Sequence, residues 1–344
     1  MPRRTTRRSS AAPRCCAPPW SSAWYASWRS RVTAGRKIPQ VPGTPGTSRG
    51  RRADLPAVEV LDSCESTNDE ARRRALAGAP HGAAVAAHRQ TLGRGRRGHV
   101  WVSPPGGLYL SIVLRPKVGE RGDAVSGEKD GPRAGSRGLG LLRALPVASG
   151  LGALDACHAL GATVPRLKWP NDLVICNSVD RARKLGGILV ELSGSTSDGF
   201  AVCGIGVNLT RPKGNGIRPT AVHDGMAGAL EPAYLGECLD GRDRELPGYD
   251  AVATVFRDAI VSRVDAWAKG LAVQPDDGPL APILADYQAS LYNLDRRVRA
   301  VATDGSLAGE GTFLSVDAWG HAVLGLADGT TLSVDCERTS LRDA

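Results

Sequence analysis

Apolar positions follow one pattern up to about residue 292 and another beyond it. In the first part, residues 58–61, 83–89 and 108–114 read as strands, the last (LYLSIVL) as a buried one. Residues 69–77 carry Ala, Arg and Leu at helical spacing, and Ser66-Thr67-Asn68 in front of them reads as a cap. An alanine-rich helix is expected over 141–160, an amphipathic one over 251–271 (Val252, Val255, Phe256, Ile260, Val264, Trp267), and a short one over 283–291. Residues 167–175 read as strand, proline-fixed turn and strand, and 184–191 and 203–209 as further strands. From Asn293 the period becomes two, over 297–301, 311–316, 321–326 and 330–334, with turns at Asp304-Gly305, 317–320 and Asp328-Gly329. The expected architecture is α+β: a mixed sheet flanked by helices over 54–292, then a small β-barrel over 293–344. Two stretches lack a period, 117–140 as an exposed insertion and 210–250 as loop with broken helices.

Charge changes this picture only at one end. The net charge is +9, but residues 1–53 hold eleven Arg, one Lys and no acid, so they carry +12 and the rest sums to −3. The high pI therefore belongs to a Pro- and Ser-rich segment that reads as disordered, and charge makes no case for nucleic-acid binding by the folded body. Trp20, Trp24 and Trp28 at helical spacing also fit a short interfacial helix, and the acid-free composition resembles a transit peptide. Prolines interrupt both patterns, and an inert tail or an overlong start is the reading kept. Nothing approaches the run of roughly 18 apolar residues that spans a bilayer. Eight cysteines without CxxC or Cys/His spacing suggest neither zinc nor a disulfide framework, and fit a reducing cytoplasm.

The candidate chemistry centres on Gly93-Arg94-Gly95-Arg96-Arg97-Gly98, between the strands at 83–89 and 108–114. Glycine lets backbone approach a ligand, and arginine presents a fork suited to carboxylate and phosphate. A solvated basic loop or nucleic-acid tether has the same composition, but a tether is not wedged between strands. Lys168-Trp169-Pro170-Asn171-Asp172-Leu173 places a lysine, an amide and a carboxylate around one turn, although Asn-Asp also serves turn geometry alone. Lys184-Leu185-Gly186-Gly187 opens a strand, and Gly204 and Gly206 alternate along another, leaving one face bare. Together these blocks suit an anionic, phosphate-bearing substrate.

Ser66-Thr67-Asn68, GRGRRG, KWPNDL, KLGGILVEL and GIGVNL, in that order and spacing, resemble the biotin–protein ligase family. The resemblance covers about residues 58–344 and implies a class II synthetase-like fold with a terminal SH3-like barrel. It implies activation of biotin by ATP and Mg²⁺ as biotinyl-5′-AMP, then transfer to a lysine of a biotin carboxyl carrier domain, with no tightly bound metal. Ser66, Thr67, Asn68 and Gln90 would bind biotin. Gly93, Arg94, Gly95 and Arg96 would fold over biotin and its adenylate, and Trp101 would pack on the nucleotide side. Lys168, Asn171 and Asp172 would sit near the phosphates, Asp172 toward magnesium. Lys184 would contact the carboxylate and the transferring acyl phosphate. Gly187, Gly204 and Gly206 would let ligands lie on the sheet, and Asn208 would face ATP. The catalytic set expected is Lys184, Arg94, Arg96 and Lys168.

The family's regulatory members carry an N-terminal helix-turn-helix, whereas residues 1–53 lack two amphipathic helices, so no operator binding is expected. No membrane partner is expected, and a homodimer is left open. Two alternatives remain. A lipoate–protein ligase uses the same scaffold, but its dithiolane does not match Ser66-Thr67-Asn68 and Gln90. A nucleic-acid-binding protein would use the basic segment, but aromatic platforms are missing from the basic loop.

Overall fold

Alternating side chains in strand β3 (Gly107–Leu114) set the layers of the molecule. Leu108, Leu110, Ile112 and Leu114 enter the main core on one face, while Tyr109, Ser111 and Val113 point to the other. Around it lie β1 (Glu59–Leu61), β2 (Ala84–Ala87), β4 (Pro165–Lys168), β5 (Asp172–Cys176), β6 (Ala182–Ser193) and β7 (Phe200–Asn208). They form a mixed sheet in the order β1-β2-β3-β7-β6-β5-β4, with β1 and β2 parallel and the remaining pairs antiparallel. The computed structural model describes residues 54–117, 132–176, 182–193, 199–212, 230–241, 244–273 and 276–344. The basic segment 1–53, most of the first aperiodic stretch (118–131) and residues 213–229 of the second lie outside them.

Helix α1 (Thr67–Leu76) covers the second face of the sheet, with Ala71 and Ala75 against Val113, Phe200 and Val202. Helices α2 (Pro132–Ala159) and α3 (Tyr249–Val273) cover the core face. Small residues let these layers close. Gly150 of α2 lies over Leu167 and Ile188 of the sheet, and Gly152 lies directly on the backbone of α3 at Ala259 and Ile260. Arg263 of α3 ties α2 at Asp155 to the short α4 (Leu284–Ser290) at Asp286. Arg257, wholly buried, donates to the carbonyls of Pro56 and Gly82 and so fastens the start of the described chain.

Helix α2 begins at Pro132, so the end of the stretch read as an exposed insertion (117–140) is helical. Gly and charged residues lower propensity by a fraction of a kcal/mol each, and extending an existing helix needs no new nucleus. In the other aperiodic stretch, the described residues 230–241 include a single 3₁₀ turn, Leu235–Glu237. Just before it, the backbone at 231–233 brackets Lys184: its N–H donates to Glu231 O (2.6 Å), and its carbonyl accepts from Ala233 N (2.8 Å).

The C-terminal residues form a second sheet from β8 (Arg297–Ala302), β9 (Leu307–Val316), β10 (Ala322–Gly325), β11 (Thr331–Val334) and β12 (Thr339–Asp343). Its order is β11-β10-β9-β8-β12, an open antiparallel sheet where the period-two pattern suggested a closed barrel. The Cys336 carbonyl, in the turn between β11 and β12, accepts from Arg96 and Arg97, and the Thr339 carbonyl at the start of β12 accepts from Arg97. Strand β12, absent from the sequence expectation, is short and polar and is defined by pairing with β8.

A Cβ at Gly152 would stand 2.6 Å from Ile260 Cα and 2.9 Å from Ala259 O. Gly152→Ala is expected to lose about 1–3 kcal/mol of stability in denaturant unfolding, because two helix backbones must separate. Gly140→Ala, in the same helix with only ordinary contact to Pro279, is expected to be neutral or to gain up to about 1 kcal/mol.

Candidate active site

The face of the sheet opposite the main core is the floor of a cavity of about 230 Å³. Register builds this floor: Asp172 pairs Gly187, Gly187 pairs Gly206 and Gly206 pairs Tyr109 in one row, while Leu189, Gly204 and Ser111 form the next. The glycines do not leave bare ground. The indole of Trp101 lies against Gly206, where a Cβ would meet Nε1 at 2.6 Å, and the Asn68 amide covers Gly204. Both clearings are thus filled by protein side chains that approach closer than any Cβ would allow.

One end of the cavity is polar and largely uncharged. Ser66 stands at the N-cap of α1, yet its side chain makes no capping hydrogen bond, and Thr67 and Asn68 belong to the first turn. The trio, whose sequence fits either a cap or hydrogen bonding to a compact polar ligand, is buried and lines the cavity. Gln90 Oε1 accepts from the Thr67 N–H (2.8 Å) and hydroxyl (3.0 Å), and Gln90 Nε2 donates to Ser103 Oγ at 2.9 Å. Ser111, completely buried, lies 2.8 Å from Thr67 Oγ1 and 2.6 Å from Asn68 Oδ1. The partners come from α1, from β3 and from the bridged segments at Gln90 and Ser103, so a neutral, hydrogen-bonding ligand end would meet a rigid set.

The other end is cationic. Among the described residues, Arg94, Arg96, Arg97, Lys168, Lys184 and Arg342 line the cavity, against the single carboxylate of Asp172. Lys184 Nζ is 2.9 Å from Asp172 Oδ1 and lies over the Trp101 ring, 5.4 Å from its centre. Burial pushes the Lys168 ammonium below the usual lysine range, Asp172 opposes this and Lys184 adds to it. Burial, with Arg96 beside it, likewise lowers Arg97. A polyanion would relieve this crowding of like charge. Among the described residues no group of three or more His, Cys, Asp or Glu side chains could hold a metal ion.

The Gly-Arg loop is fixed from two sides. Arg94 makes a two-pronged contact to Asp69 of α1 (2.6 and 2.8 Å), which holds the Asp69 carboxyl below the usual carboxylate range. Arg96 donates to Cys336 O (2.9 Å), Glu337 Oε1 (3.0 Å) and Asn171 Oδ1 (3.3 Å). Arg97, in a 3₁₀ turn with φ of 57°, donates to Cys336 O at 2.6 Å and Thr339 O at 3.0 Å. The Trp169–Pro170 turn is held against the turn before β10 by Trp169 Nε1 donating to Gly320 O (3.1 Å).

Ser66, Thr67, Asn68, Gln90, Arg94, Gly95, Arg96, Trp101, Lys168, Asn171, Asp172, Lys184, Gly187, Gly204 and Gly206 all line this one cavity. Gly93 and Asn208 do not. Gly93 gives room to Trp101 O and Ser103 Oγ, and Asn208 donates to the Lys184 carbonyl at 3.3 Å. Asn171 is largely spent on the fold, its Nδ2 donating to Ile188 O at 2.7 Å. Sequence reasoning missed Ser111, Ser103 and Arg342, and the carboxylates of Asp69 and Glu191, whose partners are distant in sequence; Arg97 stood in the Gly-Arg block without a role of its own. Only the polar Ser111 within an otherwise apolar strand gave a signal.

Residues 60–208 match the biotin/lipoate A/B protein ligase family. The biotin–[acetyl-CoA-carboxylase] ligase of Paracoccus denitrificans is 31% identical over 268 residues, covering 77% of this chain and 92% of that protein. The bifunctional ligase/repressor BirA of Salmonella typhimurium is 38% identical over 154 residues, which is 44% of this chain but only 40% of the relative's length. A biotin protein ligase from Aquifex aeolicus, solved in complex with biotin and ATP, has the same fold, with a TM-score of 0.58 at 23% identity, over 84% of this chain and 100% of that one. No helix among the described residues is long and apolar enough to cross a membrane. On the near full-length similarity to the Paracoccus protein, and on the family match that spans the cavity-forming sheet, this chain belongs to the biotin–protein ligases of the biotin/lipoate A/B protein ligase family.

Proposed function

We propose that this protein is an ATP-dependent biotin–protein ligase that activates biotin as its adenylate and transfers it to a lysine of a biotin carboxyl carrier domain. The observation carrying this reading is the division of one cavity into a neutral hydrogen-bonding end (Ser66, Thr67, Asn68, Gln90) and a cationic end (Arg94, Arg96, Arg97, Lys168, Lys184). A cyclic urea suits the first, and a carboxylate meeting a triphosphate requires the second. Residues 54–292 are read as the ligand-binding domain and 293–344 as an SH3-like module, acting in the cytoplasm without DNA binding.

In the first step the biotin carboxylate attacks the α-phosphorus of ATP and pyrophosphate leaves. Two anions must approach, and Lys184 and Lys168 offset their repulsion and the charge that develops on the phosphoryl oxygens. Asp172 holds the Lys184 ammonium toward the cavity floor. Its single carboxylate also suits a magnesium ion that arrives on the nucleotide and keeps several waters. In the second step the amine of the acceptor lysine attacks the acyl carbon, and AMP leaves. No enzyme nucleophile is needed. The mixed anhydride must be kept from water meanwhile, and the loop fastened by Arg94, Arg96 and Arg97 performs that exclusion.

ATP–pyrophosphate exchange on purified protein tests the first step. Exchange is expected with biotin and not with lipoate, and Lys184→Ala or Arg94→Ala should lower it by roughly a hundredfold or more. Exchange with lipoate alone would move the protein to the lipoate ligases. No exchange with either acid would sink the proposal.

Retention of the intermediate is a separate matter. Arg96→Gly removes three contacts, two of them to the C-terminal segment. This variant is expected to release biotinyl-AMP and to label bystander lysines, measured as biotin on an unrelated protein in the same tube. Release no faster than wild type would rule out the loop as the water barrier.

A further inference from the structure

Asn68 faces the polar end of the cavity, and its amide is oriented by Glu191, a residue outside the lining. Asn68 Nδ2 donates to Glu191 Oε2 at 2.6 Å, and Asn68 Oδ1 accepts from Ser111 Oγ at 2.6 Å. Glu191 stands on the cavity side of β6, in register with Val202, and also meets Arg72 Nη2 (3.2 Å) and Arg94 Nη2 (3.6 Å).

A primary amide has nearly the same shape after a half-turn, so its neighbours decide which end it offers a ligand. Ser111 cannot decide, because a hydroxyl donates or accepts. A carboxylate only accepts, so Glu191 admits the NH₂ end alone. The oxygen is thereby placed over the bare backbone of Gly204, the direction in which a Cβ would meet Asn68 Oδ1 first. A carbonyl oxygen has two lone pairs, and Ser111 takes one.

We propose that Glu191 is a positioning residue for substrate recognition: it fixes the Asn68 amide so that the free lone pair of Oδ1 accepts a ring N–H of the cyclic urea. This rests on the biotin reading above and adds the group that selects a donor-bearing ring over a ring without N–H, such as a dithiolane. Glu191 works through Asn68 and needs no contact with substrate. Its bonds to Arg72 and Arg94 also hold it in place beside the loop.

The test is steady-state kinetics of Glu191→Ala, Glu191→Gln, Asn68→Ala and the Asn68→Ala/Glu191→Ala double variant, in the full chain. Glu191→Ala should raise KM for biotin about tenfold, the scale of one lost hydrogen bond, and leave KM for ATP within about twofold. Glu191→Gln retains an acceptor and should give a smaller rise, about threefold. In the Asn68→Ala background, Glu191→Ala should add less than about twofold, because the residue it orients is gone. The proposal is overturned by an equal rise in KM for ATP, or by an undiminished effect in the Asn68→Ala background, which would route Glu191 through Arg94. A wild-type protein inert toward biotin overturns the ligase reading itself. Activity with biotin but the wrong pattern among the variants overturns only this inference.

Discussion

The placement of three guanidinium groups governs the rest of this site. The loop at 93–98 has one 3₁₀ turn and no ladder hydrogen bonds beyond an isolated bridge, so its position follows from where its arginines find acceptors. Arg94 finds a carboxylate on α1, Arg96 and Arg97 find the Cys336 carbonyl between β11 and β12, and Arg97 also finds that of Thr339 at the start of β12. A guanidinium always carries its charge and satisfies several acceptors in one plane, so each contact sets direction as well as distance. Arg94 and Asp69 are each more than a third exposed, so their pairing adds little stability. It supplies position.

This arrangement makes the second sheet part of the cavity wall. Thr339, Ser340, Leu341 and Arg342 line it together with residues of the first sheet; Trp169 joins the KWPND turn to Gly320 beside the second sheet, and Tyr287 joins it to α4. The turn between β11 and β12 is itself braced, since Asp335 takes Arg143 of α2 and the N–H of Glu337. Loop, turn and C-terminal strands therefore lock one another through polar contacts. An apolar interface here would pack as well but would hold the loop less specifically, because dispersion contacts carry little direction.

At the polar end the logic is that of a connected network. Thr67, Asn68, Gln90, Ser103, Ser111 and Glu191 hydrogen-bond one another before any ligand arrives. Burying that many polar atoms is tolerable only because each is paired, and pairing also fixes their orientation. Trp101 is the exception: its indole N–H is buried without a partner among the described residues while the ring covers Gly206. The cationic end is the opposite case, where among the described residues the lining cations outnumber the lining carboxylate, Asp172.

Much of this was legible in the chain. Apolar periodicity located the strands and the long helices, because burial of one face repeats at the pitch of the element whatever lies beyond it. The motif blocks named the residues that meet in the cavity, with Gly93 and Asn208 as exceptions that support neighbours instead. Alternation at Gly204 and Gly206 correctly assigned them to one face, but not what covers it. The start of α2 and the existence of β12 were not legible, since weak local preference was overridden by helix continuation and by pairing with β8. Ser111, Asp69, Glu191 and the carbonyls of Cys336 and Thr339 were invisible for a related reason. Sequence determines which side chains are able to donate, accept or carry charge. Partners 25 to 242 positions away are chosen by strand register and by the packing of the two sheets, which only the folded chain decides.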